Sequence, residues 1–254
     1  MNVVVTGGTS GIGAAVVREL SQNGQRVSFI GRNRERGQAI AAETGGHFIQ
    51  ADLSLLRETH QVAAQFQAPI DSLILCAGGI GSKATPLVTS EGFETVFATN
   101  YLSKFSLSQQ LLPQLTTNAS IVMVSGNSRY NHASTAWQSP EKGLRAALKA
   151  SLALDLYAQQ LAKNQPTLRI HTCYPGMVRT NLFKQQALPV RLLIDLFGQA
   201  SAQASSYLTR LIYERHEGVH WHKTSPMQLH LPPTAADVAL ELWNYSHSLL
   251  AKYS

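Results

Sequence analysis

The residues Thr6-Gly7-Gly8-Thr9-Ser10-Gly11-Ile12-Gly13 follow a short apolar run and open a segment of helical period, the setting in which a glycine pattern acquires a physical meaning. Gly7 permits a tight turn, Gly11 lets backbone approach a diphosphate with no Cβ in the way, and Gly13 lets a helix pack against a strand. Thr9, Ser10 and Ile12 complete a cradle at the positive end of that helix, where backbone N–H groups favour a dinucleotide's phosphates. Beyond the second strand, where a carboxylate would hold a ribose 2′-hydroxyl, the chain has Gly31 followed by Arg32-Asn33-Arg34, with Arg36 further on. A guanidinium grips a 2′-phosphate with a two-pronged fork that a carboxylate would repel, so NADP(H) is the expected cofactor. Arg34 and Arg36 also fit a solvated helix start.

Short β-branched runs alternate with helical-period segments along most of the chain, which predicts an α/β fold with a doubly wound parallel sheet of Rossmann type. The strands expected are 3–5, 26–30, 47–49, 72–76, 120–124 and 168–174, and the crossover helices 13–23, 34–44, 55–67, 91–115 and 140–164. An apolar stretch over 181–197, a helix over 200–214, a short strand near 219–222 and a last helix over 234–251 follow. With no Gly/Ser- or Pro-rich linker before it, the segment 181–254 is expected to form a lid and sheet edge on a single domain spanning 1–254.

The composition excludes several classes. The 254 residues are 44% hydrophobic and 14% charged, with 21 Lys+Arg against 15 Asp+Glu; that profile fits neither a disordered tail nor a polybasic nucleic-acid arm. Cys76 and Cys173 lie far apart in apolar runs, so they read as buried thiols in a reducing compartment rather than a disulfide or CxxC motif. Met1-Asn2 runs straight into the first strand, and the apolar stretches are interrupted by charged and polar residues. A cytoplasmic protein with neither signal peptide nor membrane span is expected.

On these motifs the chain resembles the short-chain dehydrogenase/reductase superfamily, and within it the retinol dehydrogenase-like group. The resemblance extends to Asp52-Leu53, where the family holds an adenine, and to Cys76-Ala77-Gly78-Gly79, where it has an Asn-Asn-Ala-Gly segment. It includes Asn100 within Phe97-Ala98-Thr99-Asn100-Tyr101, and Pro175-Gly176-Met177-Val178-Arg179-Thr180, whose Val178 and Thr180 match positions at the nicotinamide end. The resemblance further implies a homo-oligomer built through the helices of 91–115 and 140–164.

The same resemblance locates a departure. The family relies on a Tyr as proton donor or acceptor, a Lys four residues later and a Ser after strand five. Aligning Leu152-Ala153-Leu154-Asp155-Leu156-Tyr157 with the family's helix puts Ala147 at the Tyr and Ser151 at the Lys, while Val124-Ser125-Gly126 puts Gly126 at the Ser. Ala cannot transfer a proton, and neutral Ser cannot depress a neighbour's pKa. The remaining candidates for chemistry are Asn100, Ser125 and Tyr174, the last expected to look into the cleft just before Pro175. Lys149 lies about 200° around the helix from Ser151 and points away. Asp155 shares Ser151's stripe and is expected to be a solvated structural carboxylate or a new site group; Tyr130 sits in a polar loop that either covers the site or lies on the surface. His216-Glu217-Gly218-Val219-His220 spells a zinc pattern that works only on a helix, and here alternates like a strand. No metal is expected.

Three readings follow. The first is an NADP(H)-dependent oxidoreductase acting on a hydrophobic small molecule by an atypical mechanism, with a largely apolar substrate implied by Leu182, Phe183, Leu188, Leu192, Leu193, Leu196 and Phe197. The second is a non-redox isomerase, cyclase or lyase on the same fold, and the third a non-catalytic NADP(H) sensor.

Overall fold

The structure, a computed structural model, describes residues 1–81, 87–126, 129–130, 132–178, 199–231 and 234–252. Thr180 and the apolar stretch 181–197, with the lid expected there, lie outside the described residues.

The short, buried, β-branched runs form strands, as their composition requires: β1 (Asn2–Thr6), β2 (Arg26–Gly31), β3 (His47–Gln50), β4 (Ile70–Leu75), β5 (Leu115–Val124), β6 (Arg169–Tyr174), β7 (His220–His222) and β8 (Ser225–Pro226). They make one sheet in the order β3-β2-β1-β4-β5-β6-β7-β8, parallel from β3 to β7. The two-residue β8, which no sequence pattern announced, returns antiparallel to β7. The connections reverse direction between β1 and β4, which makes the carboxyl ends of those strands the topological switch point.

The described helices are α1 (Gly11–Gln22), α2 (Arg34–Thr44), α3 (Leu56–Ala63), α4 (Thr95–Phe97), α5 (Ser103–Leu111), α6 (Gly143–Asn164), α7 (Ser201–Tyr213) and α8 (Ala235–Leu250). The single helix expected over 91–115 is a correction. After a turn closed by the Thr95 N–H on the Leu87 carbonyl, α4 passes into a π-helical segment, Ala98–Leu102, before α5. A 3₁₀ turn holding Pro113 then ends the run, since proline supplies no N–H to continue a helix. Strand β5 begins at Leu115 rather than Ser120; the residues after Leu115, Thr116 to Asn118, are polar and partly exposed or exposed, so they carry no apolar run.

Alternation along the strands feeds two cores. Leu73, Leu75, Ile121, Met123 and Ile170 point to the side of α3, α5, α6 and α8. Val3, Val5, Ile74, Val122 and Cys173 point to the side of α1, α2 and α7. This parity decides where each side chain at a strand's carboxyl end is aimed.

Candidate active site

The switch-point cradle is built as the glycine pattern demands. Gly7 sits at φ +71°, and a Cβ there would lie 2.9 Å from the Ala77 backbone, so the β1 and β4 ends approach to a distance only glycine allows. A Cβ on Gly13 would run into the Gly7 carbonyl, which fixes α1 hard against the loop. Ser10 stands at the helix N-cap without using its hydroxyl there, leaving the first N–H groups of α1, including those of Gly11 and Ile12, facing the cradle. Gly31, at the end of β2, lies beneath the Thr9 side chain. Next to it Arg32 is 72% exposed, its guanidinium 4.0 Å from Asp52, so it is only loosely held and is free to meet a ligand. Asn33 caps α2 by accepting the Arg36 N–H at 2.8 Å, and Arg34 begins that helix. Asp52 accepts from the Ser54 N–H and hydroxyl, and Leu53 is core.

At the β4 end the Thr6 hydroxyl accepts the Ala77 N–H. Asn100, on the π-helical turn, accepts the Gly79 N–H and donates to the Gly79 carbonyl, each at 2.8 Å. Its amide is thereby spent on shaping the loop that carries Cys76, Ala77 and Gly78. Burial pushes the Cys76 thiol up to about 12. Beyond β6, Gly176 adopts φ +79°, and the Gln199 amide bonds the Pro175 carbonyl. Val178 is buried and bridges Gln199.

Tyr174 does not stand free in the cleft. Its ring stacks on His222, centroids 5.3 Å apart, a pairing set by the β6–β7 register. Ser125 ends on the same face as Ile121 and Met123, so its hydroxyl faces α6 and donates to Asp155 Oδ2 at 3.2 Å. Its own N–H is taken by the Cys173 carbonyl.

Asp155 overturns the expectation of a solvated carboxylate: it is 0% exposed. The Tyr130 hydroxyl donates to the same Oδ2, so Tyr130 is neither a cover over the site nor surface but a buried member of it. Thr172, on β6, bonds His220 Nδ1 at 2.8 Å, and His220 lies 3.7 Å from Asp155 Oδ1. From α5, Lys104 donates to the Val124 carbonyl at 2.6 Å. Burial raises the Asp155 carboxyl to about 7, against the pull of hydrogen bonds from Tyr130, Thr172 and Ser125 and of the Lys104 charge. Burial lowers Lys104 to about 8, with Cys76 and Asp155 opposing it, and lowers His220 to about 4. His220 is therefore neutral near pH 7, and its contact with Asp155 is no ion pair. Burial and the neighbouring carboxylate push the Tyr130 phenol up, so it stays protonated.

Lys149 points away from Ser151, as helix geometry predicts. It is buried against Glu94 at 2.5 Å, donates to the Ser139 carbonyl and lies over the Phe97 ring. His216 and His220 are separated by Gly218 at φ +93° and share no helix. Among the described residues no three His, Cys, Asp or Glu side chains converge on a metal position. Nor is any described helix long and apolar enough to cross a membrane.

A parallel sheet with a glycine cradle at its switch point and an acid/base cluster at the carboxyl end of β5 defines a Rossmann-type nucleotide-binding architecture. The chain belongs to the short chain dehydrogenase family, whose model matches residues 1–189. It is 34% identical over 203 residues to Dehydrogenase/reductase SDR family member 13 of Bos taurus, covering 71% of this chain and 52% of that protein. It is 27% identical over 238 residues to Retinol dehydrogenase 13 of Homo sapiens, covering 81% and 71%. The chain thus spans about half the length of the bovine relative. A solved structure described as the closed form of serine dehydrogenase complexed with NADP+ superposes with a TM-score of 0.70 at 20% identity, over 87% of this chain and 94% of that one. That likeness is one of fold.

Proposed function

We propose that the protein is an NADP(H)-dependent oxidoreductase acting on an apolar small molecule without the family's Tyr-Lys pair. The observation that carries the cofactor is the β2 end, where a mostly exposed Arg32 stands beside Gly31 with no carboxylate on the ribose position. The cradle of Gly7, Thr9, Ser10, Gly11, Ile12 and Gly13 fits the diphosphate, and Arg32 with Asn33 and Arg34 fits the 2′-phosphate. Asp52 and Leu53 would flank the adenine, and Pro175, Gly176, Val178 and Thr180 the nicotinamide. When bound, the cofactor supplies a hydride for transfer to or from a substrate carbon.

The atypical mechanism rests on positions 126, 147 and 151. A Cβ on Gly126 would lie 3.0 Å from Ser151 Oγ, so the two positions face each other across the strand–helix contact, and neither carries a group that titrates near neutral pH. The apolar residues between Leu182 and Phe197 support a hydrophobic substrate. The same missing groups favour, as second reading, a non-redox enzyme that keeps the cofactor as structure. Titrating NADPH and NADH by fluorescence tests the cofactor: NADPH binds more tightly, and Arg32→Ala removes most of that preference. An unchanged preference in the variant defeats the assignment of Arg32. Consumption of NADPH with an apolar carbonyl such as decanal separates the redox reading from the second, in which NADPH is bound and never consumed.

A further inference from the structure

We propose that Ser125 is the residue that hands a proton to the substrate oxygen, and that the buried carboxyl of Asp155, held by Tyr130, is the proton's source. This rests on the redox reading above and names the acid that reading lacks.

The geometry is that of a two-step relay. Ser125 is the first residue past β5 and next to exposed Gly126, two strand spacings from β1 and so roughly 10 Å across the sheet edge from the glycine cradle. It is 6% exposed, whereas Asp155 is 0% and Tyr130 1% exposed. Of the three, Ser125 has the largest exposure and alone adjoins the exposed Gly126 at the carboxyl end of β5, so it is the described contact of the carboxyl through which a proton would pass to a substrate. Tyr130 is not the acid: its phenol is pushed up and stays protonated, which makes it a fixed donor to whichever form the carboxyl takes. Asp155 is the group whose proton is exchangeable near neutral pH, where a general acid works best.

The balance is as follows. With Asp155 protonated, its hydroxyl donates to Ser125 Oγ and the Ser125 O–H turns to the substrate carbonyl. As hydride adds to the carbonyl carbon, the π pair moves to oxygen, which takes the Ser125 proton. Ser125 takes the Asp155 proton. The carbonyl is reduced to an alcohol, the cofactor is oxidised, and the carboxylate left behind is stabilised by the Tyr130 hydroxyl until solvent returns a proton. The reverse sequence serves alcohol oxidation. The groups facing Asp155 are Ser125 just past β5, Tyr130 from the following loop, Thr172 from β6, His220 from β7 and Lys104 from α5. Lys104, mostly charged at pH 7, keeps the carboxyl from rising further. The neutral His220 adds no charge. Asp155 and Tyr130 are positioning residues in this scheme, and Ser125 is the catalytic one.

The test uses the full chain, NADPH and decanal. Infrared difference spectra of wild type minus Asp155→Asn, recorded with bound NADPH from about pH 5 to about pH 9, read the buried carboxyl directly. The expected result is a protonated carboxyl that disappears with a midpoint near neutral pH, and whose midpoint rises in Tyr130→Phe because a donor to the carboxylate is lost. Asp155→Asn and Ser125→Ala should bind NADPH as wild type does but lose about 10²-fold in kcat with decanal, and Asp155→Asn should also flatten the neutral limb of the pH–rate profile. A carboxyl that is ionised throughout the range overturns the relay, as does full turnover in Asp155→Asn. Failure of the wild type to bind or consume NADPH overturns instead the redox reading on which the relay stands.

Discussion

Replacing Asp155 by Asn should stabilise the protein progressively as pH rises from about 4 to about 7, relative to wild type. The cause is a carboxyl that keeps its proton to about 7 when folded, against an ordinary value of 3.8. A group whose folded pKa is raised contributes its stability fully below the unfolded value and loses it as pH climbs through the folded one, because the unfolded chain ionises first. At 1.36 kcal/mol for each pH unit between the two values, the loss reaches about 4 kcal/mol by pH 7. His171 and His220, both lowered by burial to about 4, pull the other way in this window. They are present in both proteins and cancel in the difference. Lys104, at about 8, titrates above it. The new amide's altered bonds to Tyr130 and Ser125 add an offset that does not vary with pH. Urea midpoints of both proteins at four pH values between about 4 and about 7 give the curve, and the melting temperatures should diverge by about 10 °C across it. A flat difference, or one that shrinks with rising pH, would refute the claim that this carboxyl is forced to hold a proton. On the proposed relay, a penalty of this size at neutral pH in a single core residue, left in place where Asn would relieve it, is what a stability–activity trade-off would leave.

Two further outcomes follow from the same packing. Lys149→Met leaves Glu94 buried without its cation and should cost about 3–5 kcal/mol, while the double variant with Glu94→Gln recovers much of that in urea unfolding; equal losses in single and double variants would count against the pairing. Cys173, fully buried and pushed up to about 12, should react with thiol reagents near pH 8 only on the unfolding timescale and more slowly than the half-buried Cys76, and rapid labelling of Cys173 in the folded chain would contradict its placement.

How much of this was legible depends on whether the deciding neighbours are close in sequence. The cradle was fully readable, because Gly7, Gly11 and Gly13 act on one strand–turn–helix unit and their spacing is the mechanism. The place of Arg32, one residue past the end of β2, was readable for the same reason. The aim of Ser125 was not, since a residue one past a strand points to a face fixed by parity with Ile121 and Met123, and parity needs to know which face carries α6. A usable signal was nonetheless present at Asp155. The residues on either side of it, Leu152, Ala153, Leu154, Leu156, Tyr157 and Ala158, are all apolar or aromatic and all buried. A helix that is hydrophobic on every side has no solvated face to offer a carboxylate, so Asp155 had to be buried, and a buried carboxyl had to be bonded or protonated. What no local pattern could supply was the identity of its partners. Tyr130, Thr172 and His220 come from a loop and two strands that only the sheet order brings together, and Lys104 from a helix whose expected course was wrong by a π turn. The glycines of the cradle lie within one strand–turn–helix unit, whereas the groups proposed to move a proton are gathered across the fold, and that difference explains why the local pattern marked the first and missed the second.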